Sequence, residues 1–421
     1  MIDKKDKAVL KPELEDLAAA KAASRKLLAY CRANDWAGYD PYDVLNSRIF
    51  EALPFLNVKL ARLVLTQAMK RCPFNLRPWL MVPKTQNPKG LALFLTAFLK
   101  LVKLGLLDRE EDLVGIMAEK LGELRSPNSP YWCWGYSFPW QTRTLLVPRG
   151  APNLVCTVFV ANALLDVYEA SREARLLNMA VSAAEYILNE LYWTENGLVA
   201  GFGYPTPSSR SQVHNANFLG AALLCRVYKH SGDQKFLEPA LKVTRYSAGK
   251  QRTDGSWDYG ELPTQRWIDN FHTGYNLCAL RCVGREAETT EFNAQISRGF
   301  GFYREHFFRG DGAPKYFHDR TYPLDVHSVA QSILTLLEFK DLDESNVTLA
   351  HSVLQWAMAN LWNEEGFFYH QKLRYTTVKI PYMRWGQAWM LLALAALLED
   401  ACEIRSAPAG GQSQKLQEAV G

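Results

Sequence analysis

The 421-residue chain is short of the features that announce several common functions. It has no run of Lys and Arg, and its net charge of +4 is small for this length, so the electrostatic footprint of a nucleic-acid binder is missing and no nucleic-acid partner is expected. No apolar stretch approaches the ~20 residues needed to cross a bilayer. The charged opening Met1-Ile-Asp-Lys-Lys-Asp-Lys is not followed by the apolar run of a secretory signal. A cytoplasmic location and no membrane span are therefore expected. The eight cysteines form no CxxC pair and sit mostly in apolar helical text, which reads as reduced core thiols.

Aromatic residues, by contrast, are plentiful: 12 Trp, 19 Tyr and 20 Phe, more than a plain helical scaffold requires. A second abundant feature is a repeat spaced by 55 to 58 residues, in which a polar cluster opens an apolar helix. Its copies are Val213-His-Asn-Ala-Asn-Phe-Leu-Gly, Asn270-Phe-His-Thr-Gly-Tyr-Asn-Leu, Asp325-Val-His-Ser-Val-Ala-Gln-Ser and Tyr382-Met-Arg-Trp-Gly-Gln-Ala-Trp. A unit of that length is one helical hairpin plus a long loop.

Apolar periodicity separates two kinds of helix. Leu91 to Leu104, Leu154 to Tyr168, Phe218 to Tyr228 and Met390 to Leu398 are apolar almost all round, as an inner layer demands. Glu110 to Leu124, Leu176 to Leu191, Phe236 to Tyr246, Ala294 to Phe307 and Val347 to Leu361 carry charge on one face and suit an outer layer. Inner helices are expected to start near Gly90, Asn153, His214, His272, His327 and Tyr382, and Glu13 to Arg32 supplies the sixth outer partner. Six hairpins closed into a ring, an all-α (α/α)6 toroid, explain the count better than an open solenoid, which would need capping repeats. One domain over 9–403 is expected, with 35–89 across the mouth as an insertion and 404–421 as a disordered tail.

In a closed ring the long loops open on one face. They carry rings beside carboxylates, amides and bases, the combination a pyranose requires because its C–H face stacks while its hydroxyls hydrogen-bond. Candidate substrate-binding residues are Trp36, Tyr39, Asp40, Trp134, Tyr136, Trp140, Gln141, Asn215, Asn270, Tyr382, Arg384 and Trp385. Any one of these rings can equally be loop packing; their concentration on one face carries the functional reading. His214, His272 and His327 head three inner helices at what reads as one equivalent position. With Asp269, Asp325 or Tyr275 they form the candidate acid/base set. Three imidazoles would suit zinc, but equivalent inner positions of such a ring face each other across a wide cavity, so neither metal nor cofactor is expected. Loop arginines Arg143, Arg149, Arg210, Arg266, Arg320, Arg374 and Arg384 would match an acidic sugar. An oligo- or polysaccharide is the expected partner, and these features say nothing of oligomeric state.

The order of inner and outer helices resembles the six-hairpin superfamily of glycoside hydrolases, uronate-acting lyases and sugar 2-epimerases. Gly38-Tyr-Asp-Pro-Tyr-Asp-Val-Leu-Asn-Ser, Trp134-Gly-Tyr-Ser-Phe-Pro-Trp-Gln, Trp267-Ile-Asp-Asn-Phe-His-Thr-Gly-Tyr and Arg384-Trp-Gly-Gln-Ala-Trp resemble proteins of bacterial polysaccharide-biosynthesis loci. The resemblance implies a glycan-acting enzyme, whether hydrolase, lyase or epimerase, or else a non-catalytic glycan-binding protein. Gln251-Arg-Thr-Asp-Gly-Ser-Trp257 is similar to the Gln-Trp repeat of terpenoid cyclases, where it braces helix ends, which leaves an isoprenoid cyclase as the third reading. It occurs once, and DDxxD is absent.

Overall fold

The computed structural model describes residues 4–53, 57–142 and 145–406, with side chains described from residue 17 to residue 403 of that span. In chain order its helices are α1 (Lys4–Ala33), α2 (Arg48–Ala52), α3 (Lys59–Arg71), α4 (Pro88–Lys103), α5 (Leu113–Glu123), α6 (Leu154–Ser171) and α7 (Ala174–Tyr186). There follow α8 (His214–Ser231), α9 (Gln234–Ala248), α10 (Asn270–Glu286), α11 (Asn293–His306), α12 (Val326–Glu338), α13 (Ser345–Asn360) and α14 (Ala388–Ser406). The even-numbered helices from α4 to α14 pack side by side in sequence order, and α14 returns to pack on α4, closing an inner ring. Each has an outer partner: α5 on α4, α7 on α6, α9 on α8, α11 on α10, α13 on α12 and α1 on α14. The fold is an (α/α)6 toroid.

Local chemistry explains where the helices begin and end. Asn87, Asn153, Asp269 and Asp325 cap α4, α6, α10 and α12 by accepting first-turn backbone N–H groups. Pro88 occupies the first position of α4, where a missing N–H costs nothing. The acidic residues before α5 belong to its start rather than its body, since Asp112 is the cap. Gly232, at φ +71, ends α8 in the left-handed conformation and lets α9 begin two residues later. α6 is long and apolar enough to cross a membrane, but it is an inner-ring helix buried by its neighbours, as the all-round apolar text requires. α14 continues to Ser406, and the remainder of the tail expected at 404–421 lies outside the described residues.

Ion pairs join adjacent inner helices near their C-terminal ends. Asp166 of α6 meets Arg226 of α8, Lys229 of α8 meets Glu286 of α10, and Arg281 and Arg285 of α10 meet Glu338 of α12. Lys340, just past α12, meets Asp400 of α14, and Glu399 of α14 meets Lys100 and Lys103 of α4. A hydrogen bond from Thr96 of α4 to Asp166 completes the circuit. Cations there complement the negative ends of six parallel helix dipoles.

The mouth is at the opposite end, where the outer-to-inner connections lie. Residues 34–87 connect α1 to α4 and carry α2 and α3; short antiparallel strands stiffen several of the other long loops, as between Tyr192–Glu195 and Val199–Phe202. Gln251 and Trp257 brace helix ends as the repeat motif implies. Gln251 Nε2 donates to the carbonyls of Gly255 and Gln295, and the buried Trp257 indole donates to the carbonyl of Ser247. Gly255 between them sits at φ +91, and a Cβ there would stand 2.4 Å from the carbonyl oxygen of Arg298. Gly255→Ala should therefore destabilise the fold by about 3 kcal/mol through backbone strain and the forced separation of α9 from α11. The shift of the denaturant unfolding midpoint measures it, and an unchanged midpoint would mean that the brace is dispensable.

Candidate active site

Because the inner helices run parallel, their first turns converge. The second helical residue of every one lines a single cavity of about 430 Å³: Lys89 of α4, Val155 of α6, Asn215 of α8, Phe271 of α10, His327 of α12, and Arg384 in the π-helical turn Met383–Gln387 that leads into α14. This corrects the register expected for the histidines. They occupy three different positions: His214 the first of α8, His327 the second of α12 and His272 the third of α10. One step along a helix turns a side chain by about 100°, so the three do not form one set.

His272 and His327 line the cavity, while His214 lies behind it. The His214 ring is buried against α9, with Nδ1 3.3 Å from Ser247 Oγ, and burial pulls its pKa down to about 4. Asp269 has two tasks. Its Oδ1 accepts the backbone N–H of His272, and its Oδ2 accepts from His272 Nδ1 at 2.7 Å and from Trp267 Nε1 at 3.1 Å. That fixes the proton on Nδ1 and leaves the Nε2 lone pair, which has no partner among the described residues, on a ring whose side chain is 21% exposed. His272 is thus built as a proton acceptor.

A second pair faces the same space. Tyr275 Oη and His327 Nε2 are 2.6 Å apart. Burial holds the phenol pKa well above 10, and burial together with Lys89 and Arg384 holds the imidazole well below 6.5, so both groups are neutral and the phenol O–H donates to Nε2. Phe271 stacks on the His327 ring at 4.6 Å and Trp385 meets it edge-on at 4.6 Å, and Nδ1 has no hydrogen-bond partner among the described residues. Asp325 stands behind: it accepts the His327 backbone N–H and the Trp385 indole N–H and pairs with His370, all without lining the cavity.

Among the proposed substrate-binding residues, Tyr136, Trp140, Asn215, Arg384 and Trp385 line the cavity. Asp40 holds Arg384 through two buried hydrogen bonds of 2.6 and 2.9 Å. Tyr39 borders a separate narrow crevice. Trp36 packs edge-on against Phe94 and Phe98, and Trp134 is fully buried with its indole donating to the carbonyl of Leu121. Gln141 accepts from Arg62 Nε, Asn270 accepts from Tyr303 and Ser332, and Tyr382 lies under the Arg77 guanidinium. These last five residues serve the scaffold. Arg320 is the other loop arginine on the cavity, and Arg143 lies outside the described residues.

The residue that sequence reasoning missed is Lys89. It is 4% exposed, its Nζ makes no hydrogen bond or ion pair among the described residues, and it lies 3.9 Å from the centroid of the Phe159 ring, with Tyr275 and Trp389 at 5.3 and 5.4 Å. Burial and the neighbouring Arg384 push its pKa well below the usual lysine range. A signal existed: Lys100 and Lys103 in the last turn of α4 complement the helix dipole, whereas Lys89 in its first turn opposes it, which needs a reason. Lys70, Tyr42, Tyr204 and the Tyr259–Trp267 stack, with centroids 4.4 Å apart, complete the walls. Asp269 is the one carboxylate among the described lining residues, against four basic side chains. No group of three His, Cys, Asp or Glu is placed to hold a metal among the described residues.

The sequence matches no protein family and no curated protein. The structure is similar to cellobiose 2-epimerase from Bacillus thermoamylovorans, with a TM-score of 0.59 and 10% identity over 76% of this chain and 90% of that one. It is also similar to unsaturated glucuronyl hydrolase from Streptococcus agalactiae, with a TM-score of 0.58 and 13% identity over 91% and 92%. The GH76 alpha-mannanase of Bacteroides thetaiotaomicron gives a TM-score of 0.59 and 13% identity over 76% and 88%. The chain thus shares the toroid of glycosidase-like proteins.

Protonation of His214 distinguishes it from a solvated histidine. The unfolded chain takes up a proton there as pH falls through 6.5, whereas the folded chain refuses it until about 4. His214 therefore contributes stability above pH 6.5 that is lost as pH falls toward 4, about 3 kcal/mol in all. Unfolding free energies at pH 7 and 4.5 should fall more steeply for the wild type than for His214→Asn, and parallel profiles would show that the ring is not held neutral.

Proposed function

We propose that this protein is a carbohydrate-active enzyme that moves a proton at a carbon of an acidic sugar, by epimerisation or elimination, in bacterial polysaccharide biosynthesis or trimming in the cytoplasm. The observation that carries the reading is the pairing of two His-centred proton sites in a cavity with a single lining carboxylate. Hydrolysis in the usual manner needs two carboxylates flanking the bond, and Asp269 is already engaged by a cap and a histidine. His272 Nε2 would take the proton from the sugar carbon while Asp269 steadies the imidazolium. Tyr275, turning its O–H from His327 to the sugar, would give its proton to carbon in epimerisation or to the leaving oxygen in elimination, and the phenolate would regain a proton from the His272 imidazolium through solvent, which resets both groups. Negative charge developing on the sugar would meet Lys89, Arg384 and the helix N-termini.

An acidic substrate is supported by Lys70, Arg320 and Arg384 on the lining and by Lys89, which would take up a proton as the ligand brings its counter-ion. Cys31, Cys72, Cys133, Cys156, Cys225, Cys278 and Cys282 form no disulfide, which is consistent with a reducing compartment. The toroid is common to the epimerase, glucuronyl hydrolase and mannanase to which the structure is similar. A carbocation-forming cyclase is a poor fit, because its intermediate would be repelled by the basic side chains of this cavity.

Incubation with uronate-containing and neutral bacterial oligosaccharides in deuterated water tests the reading. A mass gain without cleavage marks epimerisation, and the absorbance of a conjugated uronate marks elimination. His272→Asn should slow deuterium incorporation by about 10²- to 10⁴-fold with little change in glycan affinity, while Lys89→Met should raise KM for acidic substrates. New reducing ends without exchange would point to hydrolysis instead, and binding without turnover to a glycan-binding module.

A further inference from the structure

The insertion that walls the cavity has an outer surface unlike the rest of the molecule. Eight of the fourteen exposed large apolar side chains among the described residues fall between residues 49 and 81. On α3, Leu60 and Val64 lie one turn apart and continue along the same stripe to Ala68 and Arg71, all exposed, while Thr66 and Met69 are buried and Lys70 reaches the cavity. The following loop adds Phe74 (73% exposed), Trp79 (82%) and Met81 (51%). Monomeric soluble proteins seldom gather so much apolar surface in one short segment without a partner.

Charge identifies the partner. Residues 48–84 contain seven basic residues and one acid, Glu51, in a chain whose total is only +4. Arg48, Lys59, Arg71 and Lys84 are exposed, and Glu51 is itself paired with Arg149. Apolar and aromatic side chains interleaved with Lys and Arg suit the interface of an anionic bilayer, where rings and aliphatic tips enter the headgroup boundary and bases meet lipid phosphates. Phe74, Trp79, Met81, Arg48 and Arg71 would also suit a protein interface, but Lys59 and Lys84 beside them are of the type that interface cores lack and that lipid phosphates attract.

We propose that the exposed face of α3 and of the Phe74–Met81 loop docks the protein peripherally on an anionic membrane surface, with both in contact with lipid. Docking would hold one wall of the cavity, through Lys70 and Tyr42, at the bilayer.

Vesicle flotation of the whole chain tests this without reference to turnover. Vesicles of phosphatidylcholine with phosphatidylglycerol should carry the protein at low salt, and phosphatidylcholine alone should carry about tenfold less. The triple substitution Leu60→Ser, Phe74→Ser, Trp79→Ser should lower partition to anionic vesicles by at least about tenfold. Lys59→Glu with Arg71→Glu should do the same without removing any apolar side chain, and unchanged thermal unfolding confirms that the variants fold. Wild-type protein that stays in solution with anionic vesicles overturns the proposal on its own. So does a triple variant that floats as before, or a face shown by light scattering to join two copies of the chain while ignoring vesicles.

Discussion

Six inner helices run in the same direction around a closed ring, and most of the molecule's chemistry follows from that alignment. Each helix presents unpaired first-turn N–H groups and about half a positive charge at its N-terminus, and all six termini meet at one cavity. The N–H groups must be answered, so Asn87, Asn153, Asp269 and Asp325 stand at the entrances of four helices. The opposite ends present carbonyls and negative charge, and there Arg226, Lys229, Arg281, Lys340 and Lys100 link neighbouring helices through carboxylates. The recurring polar cluster is first a capping requirement and only then a source of functional groups.

The same alignment makes the mouth hostile to further positive charge. His327 stays neutral there under the combined effect of burial, Lys89 and Arg384. Arg384 keeps its charge because Asp40 meets it with two hydrogen bonds, and Asp40 is reached from the insertion, whose own Arg77 donates to the Asp40 carbonyl. Lys89 has no such carboxylate and rests among aromatic faces. A buried amine without a counter-ion is tolerated only if its surroundings can leave it neutral or a ligand completes it. The wall insertion is therefore electrostatically part of the ring, since Asp40 offsets the one arginine that six converging helices would otherwise repel.

How much of this could be read from sequence depended on which physical signal carried it. Layering was legible because all-round apolar text has no other place than the inner ring, as α6 shows. Caps were visible as polar clusters, but the register of the side chain that follows a cap was not. A one-residue offset is invisible in a loose repeat and decisive in space, which sends His214 toward Ser247 while Asn215 reaches the cavity. The aromatic loops divided in a way composition does not reveal: Tyr136 and Trp140 face the cavity, whereas Trp134, two residues before Tyr136 in the same motif, is buried against the Leu121 carbonyl. Lys89 opposes the dipole of α4, but one of three lysines on that helix reads as a surface residue until its surroundings are known.

The two proton sites also follow from helix geometry. His272 and Tyr275 are three residues apart on α10, about 4.5 Å along the axis, with ring centroids 6.0 Å apart. Each is tuned from a different element: Asp269 orients His272 from the cap of the same helix, and His327 binds Tyr275 from the next one. One residue can then be a proton acceptor while the other remains a neutral donor, with neither carboxylate nor metal between them. A substrate atom losing its proton to His272 would gain negative charge beside Lys89 and the converging N-termini, which interact more favourably with that charge than with a neutral ground state. The six helix dipoles are common to every toroid of this kind, hydrolases included, so the direction of the proposed reaction rests on the residues set among them: His272 and Tyr275 as the proton sites, with Lys89 and Arg384 to meet the negative charge that such a transfer would create.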